Sequence, residues 1–74
     1  MLVSVELFGQ LSLQSPRRQT LELTPDVTVR EAATLLGLNP EEVGLVIVNG
    51  IQSEMEDPLP SDCRLCFFPY VSGG

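Results

Sequence analysis

Hydrophobic and polar positions alternate near both ends of the chain and recur at helical spacing between them. From Leu2 to Phe8, Val3, Val5 and Leu7 share one face and Ser4 and Glu6 the other. That is the period of a half-buried strand, ended near Gly9. Leu2 and Phe8 fall on the nominally polar face, which is therefore not fully polar. Residues 10–18 predict a loop, with Ser15, Pro16, Arg17 and Arg18 as turn or exposed residues. Gln19 to Leu23 alternates again, with Leu21 and Leu23 inward. The two strands are expected to form an antiparallel hairpin with a loose connection.

Thr24-Pro25-Asp26 breaks the second strand, and Thr28 starts a helix. Thr28 stands three residues before Glu31, the capping-box spacing, in which each side chain satisfies the other's free backbone N–H. Val29, Ala32, Ala33 and Leu36 follow at i, i+3, i+4 and i+7, an apolar stripe of helical period. Gly37 stands where a left-handed terminus is expected. Asn39 is placed to cap a single turn, with Pro40 at its first position and Glu41 and Glu42 near its positive end. Leu45 to Val48 is a continuous apolar run, which predicts a strand covered on both faces. Asn49-Gly50 is a tight-turn signal, with Ile51 and Gln52 returning as a short strand. Residues 53–62 are acidic and turn-rich, and Leu59 lies between Pro58 and Pro60. Cys63 to Phe68 reads as the last strand, with Leu65 and Phe67 inward and Phe68 outward. One helix across one face of a mixed sheet of four to five strands is an α+β, β-grasp architecture. The first and last strands are expected to pair in parallel at its centre.

At 74 residues the chain is expected to form one domain, 1–74, with residues 70–74 as a flexible tail. No apolar stretch approaches the roughly 18 residues of a membrane span. The start MLVSVELFG has no basic residues and no cleavage-site pattern, so a cytoplasmic location is expected. Ten acids face four arginines, there is neither lysine nor histidine, and the net charge is −6. That balance argues against nucleic acid and anionic membranes as partners. It fits docking onto a basic protein as well as simple solubility. Without histidine the commonest general base and metal ligand is missing. Cys63 and Cys66 have C-x-x-C spacing, but residues three apart on a strand point to opposite faces, and no second pair completes a zinc site. Two reduced thiols are expected, one in the core and one on the sheet, with no metal.

The chemistry gathers at the end of the chain. Pro69 follows the last apolar run, and Tyr70-Val71-Ser72-Gly73-Gly74 carries no charged side chain before the α-carboxylate. Fully extended, that segment reaches roughly 16 Å. Residues without Cβ enter channels too narrow for side chains. The Gly74 carboxylate is therefore the candidate working group, used inside another protein's active site. Phe8 and Phe68 share the sheet face opposite the helix by parity, and Leu59 is expected near it. Apolar residues gathered on an open face mark a contact site.

The end Phe68-Pro69-Tyr70-Val71-Ser72-Gly73-Gly74 resembles the F-P-P-V-S/A-G-G end of the ubiquitin-like sulfur carriers, the MoaD/ThiS family. Val48-Asn49-Gly50, Leu59 through Leu65 and Thr28-Val29-Arg30-Glu31 resemble that family's V-N-G turn, its approach to the last strand and its helix start. The chain departs from the family at Cys63, where an aspartate is usual, and at Tyr70, where a second proline is usual. The loop after the first strand is expected to lack the short helical insertion of the molybdopterin-synthase subunit.

The resemblance implies a carrier and co-substrate, not an enzyme. A ubiquitin-activating-type adenylyltransferase (MoeB/ThiF-like) would use ATP to adenylate Gly74, beside Gly73, and sulfur would follow as a thiocarboxylate. A synthase large subunit would accept it. Phe8, Leu59, Phe68, Pro69, Tyr70, Val71 and Ser72 are the expected partner-binding residues, and no cofactor is expected to be bound. The end of the chain looks more like the molybdopterin branch (tungsten or molybdenum cofactor) than the thiamine branch. Two other readings stay open: a modifier joined to target lysines through Gly74, and a non-covalent interaction module.

Overall fold

In the computed structural model, which describes residues 1–70, the central contact joins the two ends of the chain. Strand β1 (Leu2–Leu7) pairs in parallel with β5 (Arg64–Pro69), Val5 opposite Leu65 and Leu7 opposite Phe67. On its other side β1 pairs antiparallel with β2 (Arg18–Glu22), Val3 opposite Leu21. Strand β3 (Val43–Val48) lies antiparallel to both β5 and β4 (Ile51–Ser53). The five-stranded order is β2-β1-β5-β3-β4. Alternate residues of the central strands, Val3, Val5, Leu7, Val46, Val48, Leu65 and Phe67, join Val29, Ala32, Ala33 and Leu36 of the helical stripe in one core. Phe67 and Leu65 are fully buried at its centre, and burying each such side chain contributes about 1.5–3 kcal/mol. The β-grasp expectation is met.

Helix α1 (Val29–Leu35) is short and is fixed at both ends. Glu31 N–H donates to Thr28 Oγ1 and Thr28 N–H donates to Glu31 Oε1, each at 3.2 Å, which completes the capping box. At the other end Gly37, at φ +79°, donates to Thr34 O at 3.0 Å, and Leu38 N–H donates to Ala33 O at 2.9 Å. This paired arrangement needs the left-handed backbone that glycine adopts without steric cost. The helix start is also stitched to the loop before β5. Val29 N–H donates to Asp57 O at 3.0 Å, Arg30 N–H to Met55 O at 2.8 Å, and Leu59 N–H to Val27 O at 2.8 Å. Within that loop the Asp57 carboxylate accepts from Glu54 N–H and Ser53 Oγ, both at 2.9 Å, and these bonds hold it below the usual carboxylate range.

The fold departs from the sequence reading in four places. The loop expected over residues 10–18 contains a 3-10 turn, Gly9–Leu13, and β2 begins at Arg18. The turn was not expected, and its Leu11 is fully buried. A single turn is too short to show periodicity. Second, β3 is not covered on both faces. Val43, Val46 and Val48 are buried, whereas Leu45 is 37% exposed and Ile47 is half-buried. A single helix covers one face only, and the bulge between Val43 and Leu45 shifts the alternation by one residue. Third, the last strand runs Arg64–Pro69 rather than Cys63 to Phe68, and it ends at Pro69, opposite Val43. Fourth, Leu59 is 5% exposed and belongs to the core. The stitching to Val27 and the bridge between Thr28 and Pro58 carry it there.

Removing the cap by Thr28→Ala is expected to lower stability by about 1 kcal/mol. The melting temperature of a chain this size should fall by roughly 4–8 °C. Thermal and urea unfolding measure this, and an unchanged midpoint would contradict the capping role.

Candidate functional site

The register places the outward residues of the sheet in rows. Phe8, one residue beyond β1, donates its N–H to Phe67 O at 3.0 Å, which brings its ring beside that of Phe68. The rings stack with centroids 4.3 Å apart and planes 8° from parallel. Leu45 stands opposite Phe68 on β3, and Ile47 opposite Cys66. An apolar platform of Phe8, Phe68, Leu45 and Ile47 thus lies on the uncovered face, beside the end of β5. Tyr70, 62% exposed, follows it.

The next part of this face is charged. Glu6 is 7% exposed, yet its carboxylate accepts from Arg64 Nη2 at 3.0 Å and lies 3.5 Å from Arg18 Nε. Two guanidinium groups compensate the carboxylate for the water it has lost. The bond to Glu6, followed by a smaller contribution from Cys66, pushes Arg64 above the ordinary arginine value. Both arginine side chains stay largely exposed, so they remain available to an approaching partner. At this point of the acidic surface two arginines meet one glutamate. Beside them lies an open depression of about 530 Å³ lined by residues that include Ser4, Glu6, Arg18, Thr20, Asn49 and Arg64. Among the described residues no group of three or more histidines, cysteines or acids is placed to hold a metal ion.

Phe8 and Phe68 are brought together as expected, and Pro69 and Tyr70 lie at the adjoining strand end. Leu59 is withdrawn into the core and has little surface to offer a partner. Val71, Ser72, Gly73 and Gly74 lie outside the described residues. The sequence reading missed Leu45 and Ile47, because an unbroken apolar run hides which members face out. It also gave Glu6, Arg18 and Arg64 no joint role, since only the parallel register places the last of them beside the first. Both cysteines are free, Cys63 buried and Cys66 half-buried, on opposite faces as the spacing implied. Burial pushes the Cys63 thiol up from its ordinary value.

Thiol titration of the native protein should therefore find Cys66 reacting well before Cys63, with the fast phase lost in Cys66→Ser. Equal rates would contradict these placements. The raised Cys63 value also sets a sign. The unfolded chain releases this proton near pH 9.0, while the folded one retains it to higher pH. Its contribution to stability is thus intact below pH 9.0 and declines as pH rises through the folded value. Unfolding experiments on Cys63→Ala should show a shallower alkaline decline than the parent. An identical slope would contradict the assignment.

Among solved structures, the chain is similar to the crystal structure of SAMP1 from Haloferax volcanii, at 25% identity and TM-score 0.76, with all of both chains covered. A putative molybdopterin converting factor subunit 1 from Pyrococcus furiosus shares 17% identity at TM-score 0.77, over 96% of this chain and 99% of the other. The complex of subunits 1 and 2 of the molybdopterin-converting factor from Helicobacter pylori gives 19% identity at TM-score 0.63, with full coverage of both chains. The last two similarities speak for the fold alone, a ubiquitin-like β-grasp. A search of curated protein sequences finds no significant match. No described helix is long and apolar enough to cross a membrane. The ThiS family model matches residues 5–74, which include the helix, most of the parallel central pair, the Phe8–Phe68 platform and the Gly73-Gly74 end, and the chain belongs to the ThiS family.

Proposed function

We propose that this protein is a sulfur carrier whose working group is the Gly74 carboxylate, activated by a partner and converted to a thiocarboxylate. The observation that carries the reading is the stacked Phe8–Phe68 platform at the strand end that leads into Gly73-Gly74, in a chain of the ThiS family. A terminal carboxylate has a pKa near 3.5 and is ionised at neutral pH, so nucleophiles do not attack it. A ubiquitin-activating-type adenylyltransferase removes that obstacle. The carboxylate oxygen attacks the α-phosphate of ATP, pyrophosphate leaves, and an acyl adenylate forms. A persulfide on a partner's cysteine then attacks the carbonyl and expels AMP. A second thiol cleaves the resulting acyl disulfide, and the terminal sulfur stays on Gly74. In this scheme the protein is a co-substrate that binds no cofactor, and neither Cys63 nor Cys66 takes part.

Phe8 and Phe68 with Leu45 and Ile47 form the docking side, and Pro69 and Tyr70 direct Val71, Ser72 and Gly73 into the partner's channel. The acceptor is a synthase large subunit, by analogy with the two-subunit Helicobacter pylori complex. Molybdopterin or tungstopterin synthesis is the first choice of pathway and thiamine synthesis the second. A second reading, conjugation to target lysines through Gly74, is favoured by the end-to-end similarity to SAMP1 from Haloferax volcanii. The absence of lysine in this chain is compatible with a tag that does not form chains.

Deleting Gly74 should abolish adenylate formation, read as pyrophosphate exchange with the activating enzyme, without moving the unfolding midpoint. Unaltered exchange would end the proposal. Phe8→Ser and Phe68→Ser should each weaken binding to that enzyme by about tenfold, or ~1.4 kcal/mol. Leu59→Ala should instead act through the fold, costing about 2–5 kcal/mol of stability. Direct binding assays separate the two effects, and unchanged affinity in both phenylalanine variants would remove the platform from the account.

A further inference from the structure

Two glycines flank the last residues of β5. Gly44 is the extra residue of the bulge in β3, where Val43 faces Pro69 and Leu45 faces Phe68. A Cβ built on Gly44 would lie 2.8 Å from Tyr70 Cα, 2.9 Å from Tyr70 N and 2.9 Å from Pro69 O. All three are backbone atoms that no rotamer change can move aside. On the other flank Gly9, at φ +57°, begins the 3-10 turn after β1, and a Cβ there would lie 2.8 Å from Pro69 Cγ. Pro69 and Tyr70 thus lie between two positions that admit no Cβ without a shift, Gly44 against their backbone and Gly9 against the Pro69 ring. Pro69 adds a fixed φ to the same point. A bulge bends its strand and redirects the neighbouring backbone, and a glycine within a strand admits close backbone approach.

We infer that Gly9 and Gly44 are positioning residues that set where the chain leaves the sheet after Tyr70, and hence where the working carboxylate meets a partner's catalytic centre. This inference rests on the reading of Gly74 as that group. The atoms nearest to a Cβ at either glycine belong to Pro69 and Tyr70, not to the Phe68 ring or the Glu6 ion pairs, so docking and delivery are separable. Docking belongs to the open sheet face, and delivery belongs to the geometry of Pro69 and Tyr70. An error of about 1 Å in placing a reacting group costs up to roughly a hundredfold in rate, which gives the scale of the effect.

The test compares the full-length parent with Gly44→Ala and Gly9→Ala, using the activating enzyme and ATP. Affinity without ATP reads the docking face, the adenylation rate at saturating enzyme reads delivery, and NMR contacts between residue 44 and Tyr70 read the displacement directly. The expected result is affinity within about twofold of the parent, a rate at saturation lower by roughly tenfold to a hundredfold, and loss of the residue 44–Tyr70 contact in Gly44→Ala. Gly9→Ala meets ring atoms of Pro69 rather than backbone, though at a left-handed φ of +57°, and is the second variant should Gly44→Ala unfold. A parental rate at saturation in either folded variant would overturn the inference, as would affinity and rate falling together with the melting temperature. Failure of the parent itself to be adenylated would instead strike the Gly74 reading, while the NMR contact would still report whether Gly44 holds Tyr70.

Discussion

The parallel pairing of β1 with β5 is the contact on which the rest of the structure depends. It joins Ser4–Leu7 to Arg64–Phe67, almost the full length of the chain apart. Contacts so remote in sequence carry a loop-closure cost. The offset is the core they create, since Val5, Leu7, Leu65 and Phe67 become buried together only when this register forms. The connection between the two strands is itself fastened. The capping box starts the helix, and loop carbonyls from Met55 and Asp57 accept its first N–H groups. Helix, loop and central pair therefore support one another, as a chain this small requires.

The same pairing creates the open face. A short chain with a single main helix covers one side of its sheet, so no helix covers the outward residues of β1, β3 and β5. Register then decides what they make. Parallel pairing sets Arg64 beside Glu6 and lets Phe8 reach Phe68, and antiparallel pairing adds Leu45 and Ile47. An apolar platform and a compensated carboxylate end up side by side next to the strand that carries the C-terminal residues. This adjacency connects the fold to delivery of a terminal group. A partner held by the platform is held beside Tyr70.

Much of the fold was legible in the sequence because its signals are local. Alternation in β1, the Thr28–Glu31 spacing, the helical stripe, Gly37 and Asn49-Gly50 each act within a few residues, and each is found where its chemistry placed it. The misses are non-local. Leu59 reads as an exposed loop residue until the hydrogen bond to Val27 draws it inward. Leu11 gives no periodic signal because its element is one turn long. The alternation of β3 was hidden by its continuous apolar run and by the bulge at Gly44, whose reason is the backbone of a residue far along the chain. Of the candidate site, Phe8 and Phe68 followed from parity. The Glu6 ion pairs required the register of three strands at once.

The central claim is that Gly74 carries sulfur. Its most direct test is the intact mass of the protein after incubation with the activating enzyme, ATP and a persulfide donor. The account predicts a gain equal to the replacement of one oxygen by sulfur, confined to the C-terminal peptide and dependent on ATP. An unchanged mass under conditions that do form the adenylate, or a mass added through an amide bond to another protein's lysine, would contradict it.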